Sequence, residues 1–294
     1  MPIGAQGSSG RVPAWSVQAA LQGMDEAGIR TAIVSVSAPG FAPLATDQAT
    51  ALARWCNDFA AEMALRHPGR FGSFAALPLP DTGATLAEIT HAYDQLGADG
   101  VCLLSNYGGT YLGAPVFAPV YEELNRRAAV VFVHPTSPGN MQLVAGLSAS
   151  TLEFPFDTTR TVADIVFARI PTRFPRIRWI FSHAGGAIPF LSGRIDVLPT
   201  NNPALRERIP DGFSAELRKL YFDCALSYSP TTLDALAAEV GMDRLLFGSD
   251  YPFGPRHQMS ATAKGVEALR WDDGDRARLR ALNAAALFPR RACA

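Results

Sequence analysis

At 294 residues, 48% hydrophobic and 18% charged, the chain can build one large barrel or two ordinary domains around a substantial core. Its formal net charge of −1 gives no electrostatic case for nucleic acid or an anionic membrane surface as partner. No stretch is long and apolar enough to span a bilayer, and Met1 to Gly10 lacks the basic and apolar regions of a signal peptide, so the sequence reads as a cytoplasmic globular protein.

In chain order, Pro13 to Trp15 leads into an amphipathic helix with Ser16 as a suitable N-cap and Gly28 as a suitable C-cap. Residues 31–37 read as a strand, 45–67 as a long helix, 71–79 as a strand and 85–96 as a helix. Residues 101–106 follow as a strand, 116–127 as a helix, the run from Val130 as a strand, and 158–170, after a loop, as a helix. The run from Ile177 is a strand, 190–197 a helix, 220–226 a strand, 231–240 a helix, the run from Leu245 a strand and 275–287 the last helix. Strict alternation predicts a parallel sheet with crossover helices. It places a single domain over residues 13–294 behind a flexible segment 1–12. The four cysteines have no CxxC spacing. Cys102 and Cys224 lie inside apolar runs and read as buried reduced thiols.

Seven strands are one short of a closed (β/α)8 barrel. Gly4 to Gly10 is rich in Gly and Ser and makes a poor strand, so the absent one is expected to be the first. Either the barrel is open between its first and last strands, or the sequence starts downstream of its natural start.

Three of the apolar runs end in a residue with metal or acid–base chemistry. They are Val130-Val131-Phe132-Val133-His134, Ile177-Arg178-Trp179-Ile180-Phe181-Ser182-His183 and Leu245-Leu246-Phe247-Gly248-Ser249-Asp250. The C-terminal ends of barrel strands converge on one face, so His134, His183 and Asp250 are expected to share a pocket. Imidazole and carboxylate suit zinc or manganese. Asn106 ends another strand, and its alternatives are a turn residue and a substrate contact. Arg194, on the helix after His183, is either a surface charge or a binder of a substrate carboxylate. Asp157 is expected to cap a helix. His67, His91 and His257 end no buried strand and read as solvated, His67 at a helix end and His257 in a loop.

The motifs Val-Phe-Val-His-Pro-Thr, Ser-His-Ala-Gly-Gly-Ala-Ile-Pro-Phe-Leu-Ser-Gly-Arg-Ile and Leu-Leu-Phe-Gly-Ser-Asp-Tyr-Pro resemble the amidohydrolase-related metal-dependent decarboxylases. That family includes aminocarboxymuconate-semialdehyde, γ-resorcylate and 6-methylsalicylate decarboxylases. The likeness runs from Pro13 to Pro289. It implies a (β/α)8 barrel of the metal-dependent hydrolase superfamily with one divalent metal, zinc first and manganese second. His134 and Asp250 would be ligands, and His183, with Asp250, would act in catalysis. Arg194 would bind a substrate carboxylate, in the neighbouring subunit's site of a homodimer. The family's first strand carries a His-X-His pair of further ligands, which this sequence lacks.

The implied activity is non-oxidative decarboxylation of a small aromatic or unsaturated carboxylic acid. The alternatives are a hydrolase of the same superfamily and a metal-free binding protein or inactive remnant.

Overall fold

The structure, a computed structural model, describes residues 13–41, 44–137 and 142–292. Segment 1–12 and Cys293 lie outside them. The strands are β1 Ala32–Val34, β2 Phe71–Ala76, β3 Gly100–Leu104, β4 Asn106–Tyr107, β5 Thr110–Tyr111, β6 Val130–His134, β7 Arg178–Phe181, β8 Tyr221–Asp223 and β9 Leu245–Leu246. Seven form one parallel sheet in the order β1-β2-β3-β6-β7-β8-β9, the expected order, while β4 and β5 form a small antiparallel hairpin. Among the described residues β1 and β9 each pair on one side only. The architecture is an open, TIM-like α/β barrel.

The helices that cover the first half of the sheet are α1 Val17–Ala27, α2 Thr46–Arg66, α3 Thr82–Asp94, α4 Ala118–Arg126 and α5 Glu153–Phe167. Their ends follow side-chain chemistry. Ser16 Oγ accepts from Ala19 N at 3.1 Å, and Gly28 closes α1 in the left-handed region at φ 69°. Asp81 accepts from Ala84 N at 2.7 Å, which starts α3 ahead of the expected Thr85. α5 also starts early, at Glu153 rather than Thr158. Pro155 suggests a loop but sits in the first turn, where its missing N–H costs no helical bond.

Alternation along the strands divides the core in two. Val101, Leu103, Val131, Val133, Trp179 and Phe181 face outward into the layer between sheet and helices. Trp179 and Phe181 are fully buried there, and side chains of this size contribute about 1.5–3 kcal/mol each. Phe74, Cys102, Val130, Phe132, Ile180 and Leu246 form a smaller inner cluster. Cys102 and Cys224 are free and buried, as expected, and burial pushes both thiols up to about 12.

One cover element has no counterpart in the sequence reading. The helix Arg256–Glu267 buries only Met259, Thr262 and Val266, a stripe too narrow to stand out in a polar stretch. It packs on α1, where Met24 and Met259 share a cluster. His257 lies exposed in its first turn rather than in a loop. No helix among the described residues is long and apolar enough to cross a membrane.

Candidate active site

The inner face of β6 carries Val130, Phe132 and then His134, because side chains two apart share a face. β7 places Ile180 and Ser182 on the same side, and β8 places Tyr221 and Asp223 there. His183 and Asp250 come into the site through backbone that few L-residues adopt, each at φ 56°. Left-handed conformations at non-glycine residues are costly and gather at functional sites. Gly186, at φ 67°, completes the turn after His183 and lies so near α5 that a Cβ would stand 2.0 Å from the Pro155 carbonyl oxygen.

The three strand ends bring one ligand atom each from His134, His183 and Asp250 within 4.8 Å of one another. His134 Nε2 lies 3.7 Å from Asp250 Oδ1, and His183 Nε2 lies 3.7 Å from Asp250 Oδ2. These separations are ion-pair contacts, too long for hydrogen bonds. They suit shared ligation: donors each about 2.1 Å from one ion stand roughly 3–4 Å apart. The two histidines differ at their other nitrogen. His134 Nδ1 donates to the Pro135 carbonyl oxygen at 2.8 Å, the usual support of a metal-binding imidazole. His183 Nδ1 is buried and has no partner among the described residues.

The electrostatics follow from burial and pairing. Burial works against charge on His183, but the Asp250 carboxylate and then the Asp223 charge outweigh it and raise its pKa. Burial likewise opposes charge on Asp250, yet His134 and His183 hold its carboxyl well below the usual range. Asp223 is a site residue that sequence reasoning passed over. Its Oδ1 accepts from His183 N at 2.9 Å and Ala225 N at 3.0 Å, fixing the strained backbone that aims His183. Burial raises its own pKa, against the pull of His183 and those N–H groups. The strand-end position was its signal, hidden because the apolar residues after it extend the expected strand to residue 226, while β8 ends at Asp223.

The pocket over these residues holds about 290 Å³ and is walled by Phe132, Tyr251 and Phe253 among others, with no lysine or arginine among the described residues of its lining. Residues 9–290 match the amidohydrolase family. The chain belongs to that family. It is 38% identical over 293 residues to the 6-methylsalicylic acid decarboxylase acuB of Aspergillus aculeatus, covering 95% of this chain and 88% of that protein. It is 29% identical over 287 residues to a γ-resorcylate decarboxylase of Rhodococcus jostii, covering 90% and 85%. Among solved structures, a 2,6-dihydroxybenzoate decarboxylase complexed with 2,6-dihydroxybenzoate superposes with a TM-score of 0.81 at 25% identity, covering 95% of this chain and 89% of that one. The expected kinship with the decarboxylases of the amidohydrolase family holds, and with it a divalent metal as cofactor.

Within this amidohydrolase scaffold the other candidates fall elsewhere. Asn106 is buried outside the pocket lining, with Nδ2 donating to Asp157 Oδ2 at 2.9 Å and Oδ1 accepting from Gly109 N at 3.0 Å. Its Oδ1 holds the β4–β5 turn, and its Nδ2 ties that turn to α5. Asp157 is not a cap. It lies inside α5, 2% exposed, and accepts from Ser105, Asn106 and Tyr111. Arg194 is exposed on the helix Ile188–Asp196, outside this pocket's lining. His67 caps α2, and His91 pairs with Asp58 at 2.8 Å, so neither joins the site.

Proposed function

We propose that this chain catalyses metal-dependent, non-oxidative decarboxylation of a small aromatic acid bearing a hydroxyl beside its carboxylate. The observation that carries the reading is the convergence of His134, His183 and Asp250 at the mouth of an aromatic-walled pocket. His134 and Asp250 would hold the divalent ion, zinc in first place and manganese in second. The ion when bound orients the carboxylate and neighbouring oxygen and offsets the charge that develops as CO2 leaves.

The remaining work falls to the chain. The aromatic walls hold the ring and exclude water. Breaking the C–C bond leaves its electron pair on the ring carbon, and a proton must fill that position. His183 carries this proton. Its Nδ1 is uncommitted, and Asp250 and Asp223 favour its charged form. Asp250 faces both imidazoles and serves ligation and proton transfer alike.

Among the described residues the lining has no lysine or arginine to meet a substrate carboxylate. Arg194 would supply one from a neighbouring subunit, in a homodimer built on the exposed Phe190, Val197 and Leu198 around it. The free thiols of Cys56, Cys102 and Cys224 agree with a cytoplasmic setting.

The test is CO2 release from salicylate-type acids by metal-loaded protein. Ester or lactone hydrolysis without CO2 would move the assignment to a hydrolase.

A further inference from the structure

We propose that Ser105 and Asp157 are positioning residues that set the tautomer and aim of His134, by fixing the one peptide unit on which its ring rests. The inference rests on the reading of His134 as a metal ligand.

The Pro135 carbonyl accepts from His134 Nδ1 at 2.8 Å. A carbonyl can only accept, so the ring proton sits on Nδ1 and the lone pair on Nε2, the nitrogen that faces Asp250. The opposite edge of that peptide unit is the Thr136 N–H, which donates to Ser105 Oγ at 2.9 Å. A peptide unit is planar, so holding its N–H fixes the direction of its C=O. Ser105 has a second grip, its own N–H donating to the His134 carbonyl at 2.9 Å. The segment from His134 to Thr136 is therefore clasped on both sides by one residue at the end of β3.

A serine hydroxyl rotates freely unless its proton is claimed. Here the proton is donated to Asp157 Oδ2, which turns a lone pair toward Thr136. Asp157 is itself held by Asn106 Nδ2 at 2.9 Å and Tyr111 OH at 2.6 Å. Ser105 is fully buried and Asp157 is 2% exposed, so no bulk water competes for these bonds. Order passes from Asp157 to the Ser105 hydroxyl, to the peptide unit 135–136, and to the imidazole. Groups that orient a ligating histidine typically contribute about 10–100-fold to metal affinity. None of these polar atoms needs to touch substrate or ion to have this effect.

The experiment uses protein with 15N-labelled histidine, first free of metal and then titrated with Mn2+ alone. Wild-type His134 is expected to show the Nδ1–H tautomer. Ser105→Ala is expected to mix the tautomers and to weaken Mn2+ binding by about 10–100-fold in folded protein. Asp157→Asn, a second variant that keeps the side chain's size, should shift both readouts the same way by less. Tyr111→Phe removes another bond to the same carboxylate while leaving the Ser105 bond in place, and should change both readouts far less than Ser105→Ala. An Nε2–H tautomer in the wild type overturns the proposal whether or not any variant folds. So does an unmixed tautomer in Ser105→Ala, or an equal effect from Tyr111→Phe. A wild-type protein with the expected tautomer but no Mn2+ uptake instead overturns the ligand assignment and leaves the positioning chain standing.

Discussion

His134 and His183 address the same carboxylate from different sides, each placing Nε2 3.7 Å from a separate oxygen of Asp250. A third group that interacted with only one ring would leave the other histidine unaligned. With the proposed roles, Asp250 would couple the ligand side of the site to the proton side. Asp250→Asn keeps the shape and removes the charge that both rings face. Loss of both metal retention and turnover is expected, with turnover down by about 10²-fold or more, the scale at which acid–base groups act. Metal analysis beside CO2 release checks it.

The two histidines should separate under mutation. His183→Ala should lower turnover by about 10²-fold or more and leave metal content nearly unchanged, because its Nδ1 has no ligand-type support. His134→Ala should lose the metal. Equal metal loss in both variants would make His183 a ligand instead.

Metal-free protein should show a specific pH dependence. The raised pKa of His183 means that its charged form is favoured by folding. That stabilisation is fully present below the ordinary histidine value of about 6.5 and is lost as pH rises through the folded-state value. Asp250, with a lowered pKa, contributes above the ordinary carboxylate value of about 3.9 and loses its contribution as pH falls toward its own. Melting temperature should therefore decline as pH rises past the ordinary histidine value of about 6.5, and Asp250→Asn should flatten that decline.

Gly186→Ala should be severely destabilising, by about 2 kcal/mol or more, because the new methyl would meet the Pro155 carbonyl and strain a left-handed backbone. Denaturant titration measures it. A variant as stable as wild type would show that the His183 turn is not locked against α5.

The clustering of His134, His183 and Asp250 was legible because each follows an apolar strand, but strand periodicity fixes the face only for His134, while His183 and Asp250 turn inward on left-handed backbone past their strands. Asp223 obeys the same rule, but the apolar run 220–226 reads as one strand and puts it in the middle, whereas the strand stops at Asp223 itself. Asp157 was misread for a different reason. Pro155 looks like a helix breaker, and only the fold shows it seated in a first turn, which puts Asp157 in the interior of α5. The hairpin contacts of Asn106 and the cover of α1 by Arg256–Glu267 depend on long-range packing, which no local window contains.

The donors of this site come from β6, the turn after β7 and the loop after β9, so they are laid down in widely separated stretches of synthesis. A nascent chain still lacking β9 has His134 and His183 but no Asp250 to face them, and β8 still stands as an unpaired edge of its sheet. Parallel pairing of distant segments is slow to form. An ion that meets the emerging polypeptide therefore finds an incomplete set of donors until nearly all of the protein has left the ribosome. Metal capture falls at the end of biogenesis, after the barrel wall has already fixed which donors the ion will find.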